Sequence, residues 1–194
     1  MPRKPREKPI EPLDTSEVHS LIGACSNRAP TGLRNRALIA LMAGGGLRIA
    51  EALSVEPRDI GDGQVNVRRG KNGKQRRVGI TADLMPHIDR WADRREQLGL
   101  PRRAPFICTL KGEDVEQAYV RQLLRRLGPK AGIEKRMHPH GLRHSHAYRL
   151  ASEGTPLHLI RRQLGHERLD TTSLYIDHMA AHDVVDAINK IGAS

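Results

Sequence analysis

The sequence predicts a mainly α-helical domain that carries one small antiparallel β-sheet, an α+β fold class. Apolar residues recur at helical spacing in most segments, and one alternating stretch is followed by an Asn-Gly turn. A chain of 194 residues suffices for one well-packed core and is short for two. We therefore expect a disordered basic arm over residues 1–10, one folded domain over residues 11–179 and a tail helix over residues 180–194.

The first predicted helix begins near Asp14 or Thr15, because either side chain can cap a helix N-terminus. Its apolar positions are Val18, Leu21 and Ile22, which share one helical face. Glycines, prolines and capping residues bound the other predicted helices. These cover residues 33–43, 47–55, 82–97, 115–127, 141–153, 156–164, 171–178 and 183–191.

The predicted sheet is built on one hairpin. Residues 64–69 place Val65 and Val67 on the same side of a strand, and residues 74–80 return after the turn at Asn72-Gly73. The short apolar segment 105–108 is the candidate for a third strand.

The charge of the chain indicates a polyanionic partner. The net charge is +11 and the isoelectric point is about 10.3, and a protein that neutralises phosphates gains free energy from counterion release. Aromatic residues make up only 3% of the chain, which argues against a single-strand binder that stacks bases on aromatic rings. Double-stranded DNA fits better, with a merely basic soluble protein or a ribosome-associated protein as the alternatives.

The cysteines and the terminal segment bear on location. Cys25 and Cys108 are isolated, so we expect buried thiols in a reducing cytoplasm rather than a disulfide or a metal site. No apolar run reaches the length of a membrane span, and the basic, proline-rich start is unlike a signal peptide. We expect a cytoplasmic, nucleoid-associated protein without a membrane partner.

Several residues have the chemistry needed to cut a phosphodiester without a metal. Such a reaction needs positive charge on the non-bridging oxygens, a nucleophile and groups that move protons. Arg48 and Arg143 are candidates for the charge and Tyr175 for the nucleophile. His140 and His144 stand one helical turn apart and, with His138 and His146 nearby, could suggest zinc, but no neighbouring carboxylate or cysteine completes such a site.

Each of these residues also has an ordinary structural explanation. An arginine near a helix start, a tyrosine between Leu174 and Ile176, and a histidine at a helix end are all common in proteins. Their order and spacing are more specific. The relevant motifs are Gly-Gly-Gly-Leu-Arg-Ile-Ala-Glu-Ala-Leu at 44–53, Gly-Lys-Asn-Gly-Lys-Gln-Arg at 70–76, His-Pro-His-Gly-Leu-Arg-His-Ser at 138–145, Leu-Gly-His at 164–166 and Thr-Thr-Ser-Leu-Tyr at 171–175.

Taken together, these motifs resemble the tyrosine recombinase (phage integrase, Xer-like) family over residues 13–178. The resemblance implies the catalytic-domain fold of that family, with Tyr175 as the nucleophile that forms a 3′-phosphotyrosyl bond to DNA. It implies that Arg48 and Arg143 clamp the phosphate, that His166 donates a further hydrogen bond, and that His140 assists proton transfer at the tyrosine.

The resemblance also implies supporting residues. Lys71 would be the general acid for the leaving 5′ oxygen, and Lys74 on the same hairpin is the alternative candidate. Glu51, one helical turn after Arg48, would hold the catalytic residues in place without touching the substrate. No metal and no cofactor is implied. The basic residues expected to contact DNA are Lys74, Arg76, Arg77, Arg161 and Arg162.

One departure from the family pattern concerns the start of the chain. Family members carry an N-terminal domain that closes around DNA, and here about a dozen residues precede the catalytic module. This predicts either a minimal recombinase or an excised domain. The tail helix resembles one that docks on a neighbouring protomer, which implies a homotetramer on two DNA sites and a monomer or weak oligomer without DNA. The rival functions are a type IB topoisomerase-like relaxing enzyme and a non-catalytic DNA-binding accessory protein.

Overall fold

The computed structural model describes residues 11–68 and 75–165, and within them it has the predicted mainly helical architecture with a small sheet. The helices are α1 (Thr15–Gly23), α2 (Pro30–Gly44), α3 (Ile49–Ser54), α4 (Met85–Gln97), α5 (Gln117–Lys130), α6 (Pro139–Ser152) and α7 (Leu157–Leu164). The strands are β1 (Ile60–Gly61), β2 (Gln64–Val67) and β3 (Arg76–Gly79), and a 3₁₀ turn, Pro57–Asp59, precedes β1. Within this part of the chain, none of the helices combines the length and apolar composition needed to span a bilayer.

Helix α2 is the centre of the molecule. Its residues 37–43 are all buried, because alanine, leucine, isoleucine and methionine occupy every side of the helix there. A helix that is apolar all round must be covered on all sides, and α1, α3, α4 and α6 pack against it. The helix therefore fixes where its neighbours, α3 and α6 in particular, place their side chains.

The sheet has the strand order β1-β2-β3 and is antiparallel throughout. The predicted hairpin is present, with Val65 opposite Val78, although its turn lies outside the described residues. The third strand was predicted wrongly. It is β1 rather than segment 105–108, because Asp62 and Gly63 form a tight turn with positive φ angles of 51° and 72° that folds β1 back onto β2.

The segment predicted as a strand instead crosses the core. Cys108 forms one isolated antiparallel bridge to Asp114, and the Trp91 indole N–H donates a 2.8 Å hydrogen bond to the carbonyl oxygen of Phe106. The Phe106 N–H donates to the carbonyl oxygen of Val55 at 2.7 Å, so backbone groups of this segment are bonded outside the sheet. Cys25 and Cys108 are buried and free, as predicted.

Several helix ends differ from the predictions. Helix α5 begins after Glu116 rather than after Asp114, since Asp114 is held in the bridge to Cys108. It also continues through Pro129 to Lys130, because a proline in the last turn removes only one hydrogen bond. Helix α6 begins at Pro139, two residues early, with His138 as its capping residue. The predicted arm and the helices at 171–178 and 183–191 lie outside the described residues.

Candidate active site

The two arginines predicted from distant parts of the sequence converge on one carboxylate. Arg48 is the residue directly before α3, after the turn that leaves α2, and Arg143 lies on α6, which packs against α2. Arg48 Nη1 lies 2.8 Å from Glu51 Oε1, and Arg143 Nη1 lies 3.9 Å from Glu51 Oε2. Arg48, Arg143 and Glu51 therefore share one site, as their predicted roles require.

Arg143 is held rigidly. Its side chain is only 1% exposed, and it donates hydrogen bonds of 2.7 Å to the carbonyl oxygen of Gly46 and 2.5 Å to that of Leu164. Carbonyl acceptors orient a guanidinium without cancelling its charge. The positive charge of Arg143 is thus fixed between the turn after α2 and the end of α7.

Arg48 differs from Arg143 in accessibility. Its backbone N–H and its Nη1 both donate 2.8 Å bonds to Glu51, while the side chain remains 33% exposed. The carboxylate therefore orients a guanidinium whose remaining N–H groups can meet a ligand from solvent.

Glu51 is the anionic centre of the cluster. It is 3% exposed and accepts two bonds from Arg48 and two, each 2.9 Å, from Arg76. Burial alone would raise the pKa of Glu51, but the bonds from Arg76 and Arg48 outweigh it and lower the pKa to about 2. The carboxylate is therefore ionised at neutral pH, and three guanidinium groups within 4 Å of it leave positive charge in excess.

Arg76, which we predicted to contact DNA, has its guanidinium inside the protein. The side chain is 12% exposed, and besides its two bonds to Glu51 it donates from Nε to the carbonyl oxygen of Gln163 at 3.2 Å. Arg77 is exposed on the same strand, as is Arg162 on α7, and Arg161 is half-buried. Alternation along β3 thus separates an inward from an outward arginine.

The histidines of α6 divide into two groups. His140 is exposed, and its ring centroid lies 4.3 Å from that of half-buried His144 in an edge-to-face arrangement. Partial loss of hydration and the positive charge of Arg143 lower the pKa of His140, so its imidazole is neutral at pH 7 and can accept a proton. His138 accepts the Gly141 backbone N–H at its Nδ1 and caps the helix.

His146 faces the core instead, and the sequence predicts no catalytic role for it. Its Nδ1–H donates to the Ala43 carbonyl oxygen at 3.1 Å, and its Nε2 accepts from the Gln163 amide at 3.2 Å. Burial lowers the pKa of His146 to about 4, which keeps the ring neutral as these two bonds require. The same amide group of Gln163 bonds both the N–H and the C=O of Gly79, so it joins α7 to β3. Only the spatial contacts reveal this link.

Four predicted site residues lie outside the described residues: Tyr175, His166, Lys71 and Lys74. Along the sequence, the described residues that precede His166 and Tyr175 end at Gly165, and strands β2 and β3 flank the segment that contains Lys71 and Lys74. In the described part of the chain, the structure holds no group of three or more histidine, cysteine, aspartate or glutamate side chains that could bind a metal.

The sequence matches the phage integrase family over residues 11–182, which includes every site residue named above. The chain belongs to this family. The match agrees with the resemblance that the motifs gave and with the arginine cluster in the structure.

Individual relatives agree with this assignment. The chain is 32% identical over 190 residues to the tyrosine recombinase XerC of Escherichia coli O157:H7 (strain EC4115 / EHEC), which covers 96% of the chain and 62% of the relative. The XerA recombinase shares the fold with a TM-score of 0.79 at 23% identity, over 100% of this chain and 68% of that one. The XerH site-specific recombinase, solved in a post-cleavage complex with its palindromic difH substrate, has a TM-score of 0.76 at 26% identity, over 94% and 54%.

Proposed function

We propose that this family member is a site-specific DNA recombinase that cuts and rejoins strands through a 3′-phosphotyrosyl intermediate. The observation that carries the proposal is the convergence of Arg48 and Arg143 on Glu51, with His140 three residues before Arg143 on the same helix. The chain spans only 62% of the XerC relative, so this is a statement about the catalytic module.

The arginine cluster suits a phosphodiester under attack. Negative charge builds on the two non-bridging oxygens as the fifth bond to phosphorus forms, and fixed cations stabilise it more than they stabilise the ground state. Arg143 supplies a buried, pre-oriented charge and Arg48 a partly exposed one. Because the protein already holds both, little reorganisation is needed at the moment of reaction.

The bond changes follow from the proposed roles. The Tyr175 hydroxyl oxygen attacks phosphorus, its proton passes to neutral His140, and the bond from phosphorus to the 5′ oxygen breaks. Lys71 gives the departing oxygen a proton, and His166 adds a hydrogen bond to the phosphate. Rejoining reverses these steps with a 5′ hydroxyl as nucleophile, so the reaction needs no external energy source and no metal or cofactor.

The partner that we propose is double-stranded DNA, contacted in the cytoplasm by the outward-facing Arg77 and Arg162. The net charge of +11 supports this partner, and the solved XerH relative is bound to its DNA substrate. We further propose a catalytic domain over residues 11–179 with a tail helix that links protomers into a homotetramer on two sites.

A duplex nicked close to the cleavage position tests the proposal, because the short released strand diffuses away and the covalent complex accumulates. We expect the wild-type protein to form a covalent adduct and Tyr175→Phe to form none. Tyr148→Phe removes a hydroxyl from a half-buried tyrosine of α6 and serves as the matched control. An adduct that persists in Tyr175→Phe would refute the assignment of the nucleophile, and a wild type without adduct would favour an accessory protein.

The same preparation separates recombination from topoisomerase-like relaxation. A recombinase exchanges strands only when two target sites are present. A relaxing enzyme removes supercoils from a plasmid that carries a single target site. Relaxation without any dependence on a second site would contradict the recombinase assignment.

A further inference from the structure

Arg76 makes a set of contacts that a DNA-contacting arginine does not need. Its Nη1 and Nη2 each donate a 2.9 Å bond to a different oxygen of Glu51, and its Nε donates to the Gln163 carbonyl oxygen. All three nitrogens of the guanidinium are thus engaged within the protein. A planar fork of this kind matches a carboxylate in geometry as well as charge.

The end of α7 packs tightly on the same side chain. Gly165 has a φ angle of +66°, and a Cβ atom built on it would lie 3.0 Å from both Cδ and Nε of Arg76. The side-chain amide of Gln163 also holds Gly79 of β3 from both its N–H and its C=O. Arg76 is therefore fixed between α7 and Glu51.

We propose that Arg76 is a positioning residue, which holds the Glu51 carboxylate so that Arg48 and Arg143 keep their guanidinium groups for the phosphate. The proposal deepens the recombinase function and rests on it. Arg76 itself does not touch the DNA phosphate; it acts through Glu51.

The contacts explain why Glu51 needs this partner. A buried carboxylate stripped of water must have its acceptor sites filled, and Arg76 fills two of the four described bonds. Without Arg76, Arg143 offers a further donor among the described residues, since its Nη1 lies 3.9 Å from Glu51 Oε2. Glu51 would then draw Arg143 away from the Gly46 carbonyl oxygen and hold Arg48 more strongly, so both cations would be displaced from the phosphate.

The first test measures single-turnover cleavage of the nicked duplex at saturating protein, together with DNA affinity. Arg76→Lys keeps the charge but cannot form the two parallel bonds, and we expect cleavage to slow by about 100-fold, the order of loss that a misplacement of about 1 Å causes. DNA affinity should change by less than about threefold, because Arg76 does not meet DNA and the two displaced cations stabilise the transition state more than the bound ground state. The matched control is Arg58→Lys, an arginine that is also paired with a glutamate but is 68% exposed, and it should cleave at the wild-type rate.

A second substrate distinguishes Arg76 acting through Glu51 from Arg76 acting through the hairpin that carries Lys71. When sulfur replaces the bridging 5′ oxygen, the leaving thiolate needs no proton from a general acid. We expect Arg76→Lys to be slowed equally on the oxygen and sulfur substrates. Recovery on the sulfur substrate would overturn the proposal, since the defect would then lie in proton donation.

The third test combines Arg76→Lys with Glu51→Gln. The neutral amide introduced by Glu51→Gln does not need two cationic donors. The double variant should therefore cleave less than about threefold more slowly than Glu51→Gln alone. If the rate losses of Arg76→Lys and Glu51→Gln instead multiplied in the double variant, the proposal would be overturned. A wild-type cleavage rate in Arg76→Lys would overturn it as well. If Arg76→Lys does not fold alone, the comparison of Glu51→Gln with the double variant decides, again by whether their cleavage rates differ by less than about threefold.

The wild-type protein separates this proposal from the proposed function. If it forms no covalent adduct, the recombinase function and the role of Arg76 are both overturned; if it forms one, only the role of Arg76 remains to be tested.

Discussion

Gly46 is the residue at which a single added methyl group should disturb both the packing and the arginine cluster. It lies in the turn between α2 and α3 with a φ angle of +65°. A Cβ atom there would lie 2.6 Å from Cδ2 of His146 and 2.7 Å from Cδ2 of Leu164. Both neighbours are buried, at 2% and 0% exposure, so neither can move into solvent.

The expected cost of Gly46→Ala has two parts. The left-handed backbone costs an alanine about 1–2 kcal/mol, and overpacking a filled core costs about 1–3 kcal/mol. The free energy of unfolding should therefore fall by about 2–5 kcal/mol. Gly63→Ala is the matched control, because Gly63 has a similar φ angle of +72° but no atom within 4 Å of its added Cβ. That variant should lose only the backbone part.

Urea unfolding of both variants measures these losses, and cleavage of the nicked duplex under stabilising conditions measures the effect on the site. The Gly46 carbonyl oxygen accepts from Arg143, so we expect Gly46→Ala to slow cleavage by at least about tenfold and Gly63→Ala to leave it unchanged. Equal destabilisation of the two variants would refute the packing argument. Wild-type cleavage by Gly46→Ala would refute the claim that this carbonyl fixes Arg143.

Two further predictions concern pH and salt. Since the pKa of His146 falls from 6.5 to about 4 on folding, its neutral form stabilises the fold fully above pH 6.5, and about 3 kcal/mol of this stability is lost as the pH falls to 4. Urea unfolding should show this loss in the wild type but a flatter profile in His146→Gln, and parallel profiles would contradict it. Arg77→Ala and Arg162→Ala should each lower the slope of log affinity against log salt by about one, whereas Arg76→Lys should not. If the salt dependence of affinity were unchanged in both alanine variants, Arg77 and Arg162 would not contact DNA phosphates.

Much of the fold could be predicted because its signals are local. The capping box of Asp14 and Glu17 starts α1 where the sequence places it, and alternating Val65 and Val67 mark β2. The Asp62-Gly63 turn is an equally local signal, and it marks β1. By contrast, segment 105–108 is as apolar as a strand, and only its neighbours decide that it crosses the core without joining the sheet.

The sequence by itself determined which chemical groups the protein carries and in which order, and this order sufficed for the prediction of Arg48, Arg143 and His140 as parts of one site. The tertiary structure alone decided where each arginine side chain lies and what it contacts. Arg76 and Arg77 are adjacent and chemically identical, yet one is bonded to Glu51 and Gln163 and the other is exposed. The reason is physical: Arg76 points inward because its acceptors, Glu51 and Gln163, come from parts of the chain 25 and 87 residues away, and only the folded chain brings them to this strand.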